Sequence, residues 1–119
     1  MPTFTKQTLS GSTHGRQIKV VATATAGTLI HTAQAGTGDN AMDEVWLWAT
    51  NTSPSSVKLT LEYGGVASPV DLVEVTIAAE AGLTQILPGL VLRNSLVIRA
   101  FAASANVINI SGFVNKITA

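Results

Sequence analysis

Apolar and polar residues alternate with a period of two along most of this chain, most clearly from Asp43 to Tyr63. In the first half of that stretch Val45, Leu47 and Ala49 fall on one face and Trp46, Trp48 and Thr50 on the other. In the second half Val57, Leu59, Leu61 and Tyr63 share a face, opposite Lys58, Thr60 and Glu62. Successive side chains leave opposite faces of a pleated strand, so both halves read as β-strands. Between them, Asn51-Thr52-Ser53-Pro54-Ser55-Ser56 consists of turn formers, and Pro54 cannot continue a ladder. The pattern predicts a β-hairpin here, with the rest of the chain covering it.

The same reading places six more strands. They run from Gln17 to Thr25, Thr28 to Ala33, Asp71 to Ala78, Leu83 to Leu87, Ser95 to Ala102 and Val107 to Ile117. Leu29 and His31 are expected on one face of their strand and Ile30 on the other. Pro88-Gly89 is expected to stop the strand that begins at Leu83. Gly112 marks a bulge or a close approach in the last strand. No helical stripe of apolar residues is present. Eight short strands spaced by turn residues predict an all-β, two-sheet β-sandwich of jelly-roll type over residues 16–119. Residues 1–15 hold only Phe4 and Leu9 as large apolar side chains and read as a flexible N-terminal arm.

Composition sharpens this picture. At 119 residues the chain is one domain with room for a core. It has no cysteine, so neither disulfides nor thiolate metal sites hold it together. The formal net charge is zero, which argues against nucleic acid as the main partner. No apolar run approaches the roughly 18–20 residues of a membrane helix. The first residues lack the apolar core of a signal peptide, so synthesis and folding in a cytosol are expected. Charged residues make up only 12% of the chain, against about 25% in an average soluble domain. A surface so poor in charge is expected to be partly covered by copies of itself or by another protein.

Candidate chemistry is sparse. Trp46 and Trp48 lie two apart, so both rings leave one face of a strand. They would serve as a platform for sugar rings, or pack between the sheets or at a subunit contact. Because their strand is apolar on both faces, packing is the favoured expectation. Asp39, Asn40, Asp43 and Glu44 offer oxygen ligands to a hard cation, but their spacing fits no EF-hand, and Asp and Asn are common turn formers. His14 and His31 fit no metal spacing, and His31 is expected to be packed or hydrogen-bonded. No serine sits in a nucleophile elbow. No catalytic, cofactor-binding or metal-ligating residue is assigned, and the chain is expected not to be an enzyme. Asn51-Thr52-Ser53 and Asn109-Ile110-Ser111 match the glycosylation pattern, a chance match in a chain without a signal peptide.

Five segments, in their order and spacing, resemble one family. They are GTLIHTA (Gly27 to Ala33), DEVWLWATN (Asp43 to Asn51), VKLTLEYGG (Val57 to Gly65), ILPGLVLRNSLVIRAFA (Ile86 to Ala102) and NVINISGFVNKI (Asn106 to Ile117). Together they resemble small virion structural proteins of tailed bacteriophages, of the capsid decoration or cement type, over about residues 27–117. The resemblance implies a non-enzymatic β-sandwich, frequently a homotrimer, on the outer capsid surface, made in the cytoplasm of a bacterial host. Its implied partners are the major capsid protein and itself, with no nucleic acid, membrane or cofactor. A carbohydrate-binding or structural module of a head fibre or tail is the alternative. Phe4, Leu9, Trp46 and Trp48 are the candidate interaction residues.

Overall fold

The computed structural model describes residues 3–38 and 40–118; Met1, Pro2, Asp39 and Ala119 lie outside it. The described residues form nine strands and no helix. In chain order these are β1 (Thr3–Thr8), β2 (Ile18–Lys19), β3 (Thr28–Thr32), β4 (Ala41–Asn51), β5 (Val57–Tyr63), β6 (Leu72–Ile77), β7 (Thr84–Leu92), β8 (Val97–Ala102) and β9 (Ile108–Thr118). They build two antiparallel sheets, one in the order β1-β9-β4-β7 with β2 also on β9, the other in the order β3-β8-β5-β6. β2 pairs with β9, β3 with β8, β4 with β7 and β5 with β6. This nesting is a single ribbon folded over on itself, the jelly-roll arrangement expected from the sequence.

The strands form where alternation is strongest, and their apolar faces meet between the sheets. Val45, Leu47 and Ala49 of β4 are fully buried against Leu59 and Leu61 of β5, Ile98 and Ala100 of β8, and Ile108 and Ile110 of β9. Each Val, Leu or Ile among them contributes about 1.5–3 kcal/mol when it leaves water. The alternation thus fixes which face of each strand turns inward, because a slip of one residue would expose the whole set.

Five expectations need correction. The stretch from Asp43 to Tyr63 is not a hairpin. β4 has β9 on one side and β7 on the other, so no edge is left for β5, which lies in the opposite sheet. The connecting segment crosses the sandwich, and Asn51 holds that corner. Its buried amide donates to Ser55 O at 2.8 Å and Ile77 O at 3.0 Å, and its carbonyl accepts from Ser53 N at 3.0 Å and Ser53 Oγ at 2.8 Å. An amide so engaged is closed to glycosylation.

Pro88-Gly89 does not end β7 either. β7 is an edge strand, where a missing N–H is tolerated, and register shifts at Val45/Trp46 and Leu47/Trp48 absorb one extra β7 residue each. In β3 a register shift between Leu29 and His31 breaks the alternation, so Ile30 and His31 are both buried and Leu29 faces solvent. The arm expected over residues 1–15 contains a strand: Thr3–Thr8 lies along β9 as a six-residue ladder from Thr3↔Thr118 to Thr8↔Phe113. In turn, the strand expected from Gln17 to Thr25 shrinks to Ile18–Lys19. Gly112 is a close approach rather than a bulge: pairing with Leu47 is unbroken, and a Cβ there would fall 2.0 Å from Trp46 O.

Candidate docking face

Residues directly opposite in an antiparallel ladder share a face. On β4 the inward set is Asp43, Val45, Leu47 and Ala49, so Met42, Glu44, Trp46 and Trp48 point outward. Their partners on β9 are Ile117, Asn115, Phe113 and Ser111. On β1, Phe4, Lys6 and Thr8 face Ile117, Asn115 and Phe113 in turn. The outer face of this sheet therefore runs in rows across the strands. Phe4, Ile117 and Met42 make an apolar row. Lys6, Asn115 and Glu44 make a polar one. Thr8, Phe113 and Trp46 make an aromatic one, with Trp48 beside it.

Both tryptophans and two of the three phenylalanines of the chain thus lie on one sheet face. The rings form one stack. Phe113 lies 6.2 Å from Trp46 at an interplanar angle of 14°, and 6.1 Å from Trp48 at 28°. The Lys6 ammonium sits 4.5 Å from the Phe113 ring centroid, a contact favoured by the ring quadrupole. At the other flank the Trp46 indole leans on Gly89, where a Cβ would come within 2.7 Å of Cζ2. Gly89 also has a φ of 86°, so glycine is required there twice over.

Polar groups lock this stack. Glu44 Oε1 accepts the Trp46 indole N–H at 2.8 Å and the Asn115 amide at 2.9 Å. Those donors, Asn115 foremost and then Trp46, hold the Glu44 carboxyl below its ordinary pKa, with burial opposing them. The rings are half-buried: they flank one another and leave part of their surface open on the outside of the sandwich. The tryptophans therefore do not pack between the sheets.

The other candidate residues fall elsewhere. Phe4 is 64% exposed on the same outer face, whereas Leu9 is 1% exposed. Leu9 is a core residue that anchors the arm, and it is not available to a partner. His14 is exposed on the loop after β1. Asp43 and Glu44 leave opposite faces of β4, Asn40 is exposed, and Asp39 lies outside the described residues. Among the described residues no group of three or more His, Cys, Asp or Glu side chains could hold a metal ion.

His31 and Asp43 form a buried pair in a polar cavity of about 480 Å³ at the arm end of the sandwich. His31 Nδ1 accepts the Ser10 backbone N–H at 3.0 Å, so its proton is on Nε2, which donates to Asp43 Oδ2 at 2.7 Å. Asp43 Oδ1 is taken by the Gln34 amide at 3.1 Å, which also donates to Met42 O and Ile117 O. Each ring nitrogen and each carboxylate oxygen has a partner, so the pair ties β3, β4 and the segment after β1 together.

Sequence reasoning singled out the tryptophans and Phe4 but missed Lys6, Glu44, Phe113, Asn115 and Gly89 as their companions. The alternation on β9 places Phe113 on one face, but only the β4–β9 register sets it opposite Trp46. Comparison with protein-family models, with curated proteins and with solved structures gave no match for this chain.

Proposed function

We propose that this chain is a non-enzymatic virion structural protein of the capsid decoration type. In this reading it docks on the outer capsid surface, bridges major capsid subunits and acts as a homotrimer. The observation that carries the reading is the outer face of the β1-β9-β4-β7 sheet, where four aromatic residues and an apolar row sit on a rigid sheet. Such a face suits wide contact with a flat protein surface, with aromatic anchors at its centre and polar groups around them. The resemblance of its strand-and-turn segments to small phage virion proteins is the second support for the proposal. Binding only the assembled, expanded lattice would stabilise that lattice by linkage, and three linked copies would sum modest contacts.

The test is sedimentation of the purified protein with expanded phage heads and with compact, unexpanded shells. Saturable binding to expanded heads is expected, together with a trimer mass in solution. Trp48→Ala should weaken that binding and also lower the melting temperature, since the ring contributes its buried area to the fold besides about 0.5–1.5 kcal/mol of aromatic stacking. Equal pelleting with both shells, or none, sinks the reading.

A glycan-binding module of a fibre or tail is the second reading. It is favoured by the polar groups Glu44, Asn115 and Lys6 around rings on an outer face. Against it, Trp46 N–H is already bonded to Glu44, and Lys6 lies over Phe113. Saccharide-induced change in tryptophan fluorescence would support it, because both tryptophans report on this face.

A further inference from the structure

We propose that β1 is exchanged between copies of this chain, each copy laying Thr3–Thr8 along the β9 edge of a neighbour. This rests on the homo-oligomer reading above and adds which segment joins the copies.

The hold on the chain changes abruptly between Thr8 and Leu9. All six residues of β1 are exposed. They are held by the backbone ladder to β9 and by Lys6 over Phe113. None of them buries a side chain in the core, so apolar burial contributes little to keeping this strand on its own body. The next residues are nailed down. Leu9 is buried, and its carbonyl accepts the Ser12 N–H at 3.0 Å and the Ser12 hydroxyl at 2.8 Å. Ser10 N–H donates to His31 Nδ1, and Ser10 Oγ accepts the Thr32 N–H at 2.7 Å. Gly11 N–H donates to Ile30 O at 2.9 Å, and a Cβ at Gly11 would come within 2.6 Å of that oxygen. The segment after the strand is thus pressed flush on β3, and a strand fixed at one end and held lightly along its length swings out without disturbing the core.

A departing β1 leaves the β9 edge from Phe113 to Thr118 with unpaired backbone groups, which demand another strand. β1 of a second copy fits that edge in the same register, restores Lys6 over Phe113 and returns Phe4 to Ile117. No contact of the closed form is lost, and linking the copies adds their mutual surface, which is why exchange of an identical element is a low-cost route to oligomers. Donation from each copy to the next is head-to-tail and closes into a ring, as a three-fold assembly needs. The docking face then becomes composite: Phe4 and Lys6 from one copy border Trp46, Trp48 and Phe113 of the next.

The absence of native cysteine permits a direct test. Thr5 and Lys116 are ladder partners, and such pairs have Cα atoms about 4.5–5.5 Å apart, within disulfide reach. The double variant Thr5→Cys with Lys116→Cys is oxidised at low concentration and run on a denaturing, non-reducing gel. Its reduced form is sized by light scattering. Exchange predicts an oligomer by scattering and covalent dimers and trimers on the gel, with none from Thr5→Cys alone. An oligomer that yields only internally cross-linked monomer overturns the exchange and leaves the homo-oligomer reading standing. A monomer by both methods overturns both. Thr3→Cys with Thr118→Cys, at the far end of the same ladder, repeats the test should the first variant not fold.

Discussion

Glu62 is fully buried in a chain with few charges, so its carboxylate must be met by donors. Gly27 N–H reaches Oε1 at 2.6 Å, and the Thr25 hydroxyl donates to Oε2. The carboxylate thereby pins the segment before β3 onto the second sheet, and Arg99 Nη1 adds a bond to Gly27 O at 3.3 Å. Glu62→Ala strands the buried Gly27 N–H and should cost about 1–3 kcal/mol, read from the urea midpoint. A midpoint within error of the wild type would contradict that assignment. Tyr63, the chain's one tyrosine, donates to Val91 O at 2.7 Å and bridges the two sheets. Burial pushes its pKa up to about 12 from 10.0. A raised folded pKa means that the stabilisation is fully present below pH 10 and is lost as pH rises through 12. Tyrosinate absorbance should therefore titrate near 12 in the folded protein, with the urea midpoint falling over the same interval; an unshifted titration would refute the burial. Glu44 works in the other direction. Its depressed carboxyl adds stability above the ordinary carboxylate value, lost as pH falls through the lowered folded value, and tryptophan emission should register that loss.

Among the elements, β7 shows how one glycine couples an edge strand to the aromatic stack. Gly89→Ala forces a non-glycine residue into positive φ and drives its Cβ against Trp46. A cost of about 1–3 kcal/mol is expected, with a lower melting temperature and a changed tryptophan emission; lowered stability with unaltered emission would place the strain elsewhere. Strand positions were legible in the sequence because alternation is a local signal, and all eight expected strands exist in some form. Partners were not legible. β4 and β5 are adjacent in sequence, yet β4 has both edges occupied by strands far along the chain, a fact no local pattern carries. β1 escaped for the opposite reason. Thr3 to Thr8 bury no side chain, so the sequence has no apolar alternation there to betray a strand. Register shifts explain the rest, since one inserted residue in β3 turned His31 from the face of Leu29 into the interior. The site was half legible: two tryptophans at spacing two announce a shared face, whereas Phe113 and Asn115 join them only through the β4–β9 register.

At the scale of the whole molecule, seven basic and seven acidic residues cancel, and the docking face holds Lys6 and Glu44 amid apolar and aromatic groups. With no net charge to steer a partner, the proposed docking would rest on contact area. Two consequences separate this from a charge-driven adhesin. Affinity for the docked surface should change by no more than about threefold when salt is raised to molar levels, because screening acts on a field that is nearly absent. The heat capacity change of binding should be negative, the mark of apolar area leaving water. Isothermal titration at several temperatures and salt concentrations measures both. A tenfold or larger loss of affinity with salt would move the contact to a charged patch away from Trp46, Trp48 and Phe113. Affinity lost in Phe4→Ala with salt insensitivity kept would place the apolar row of Phe4, Ile117 and Met42 inside the contact.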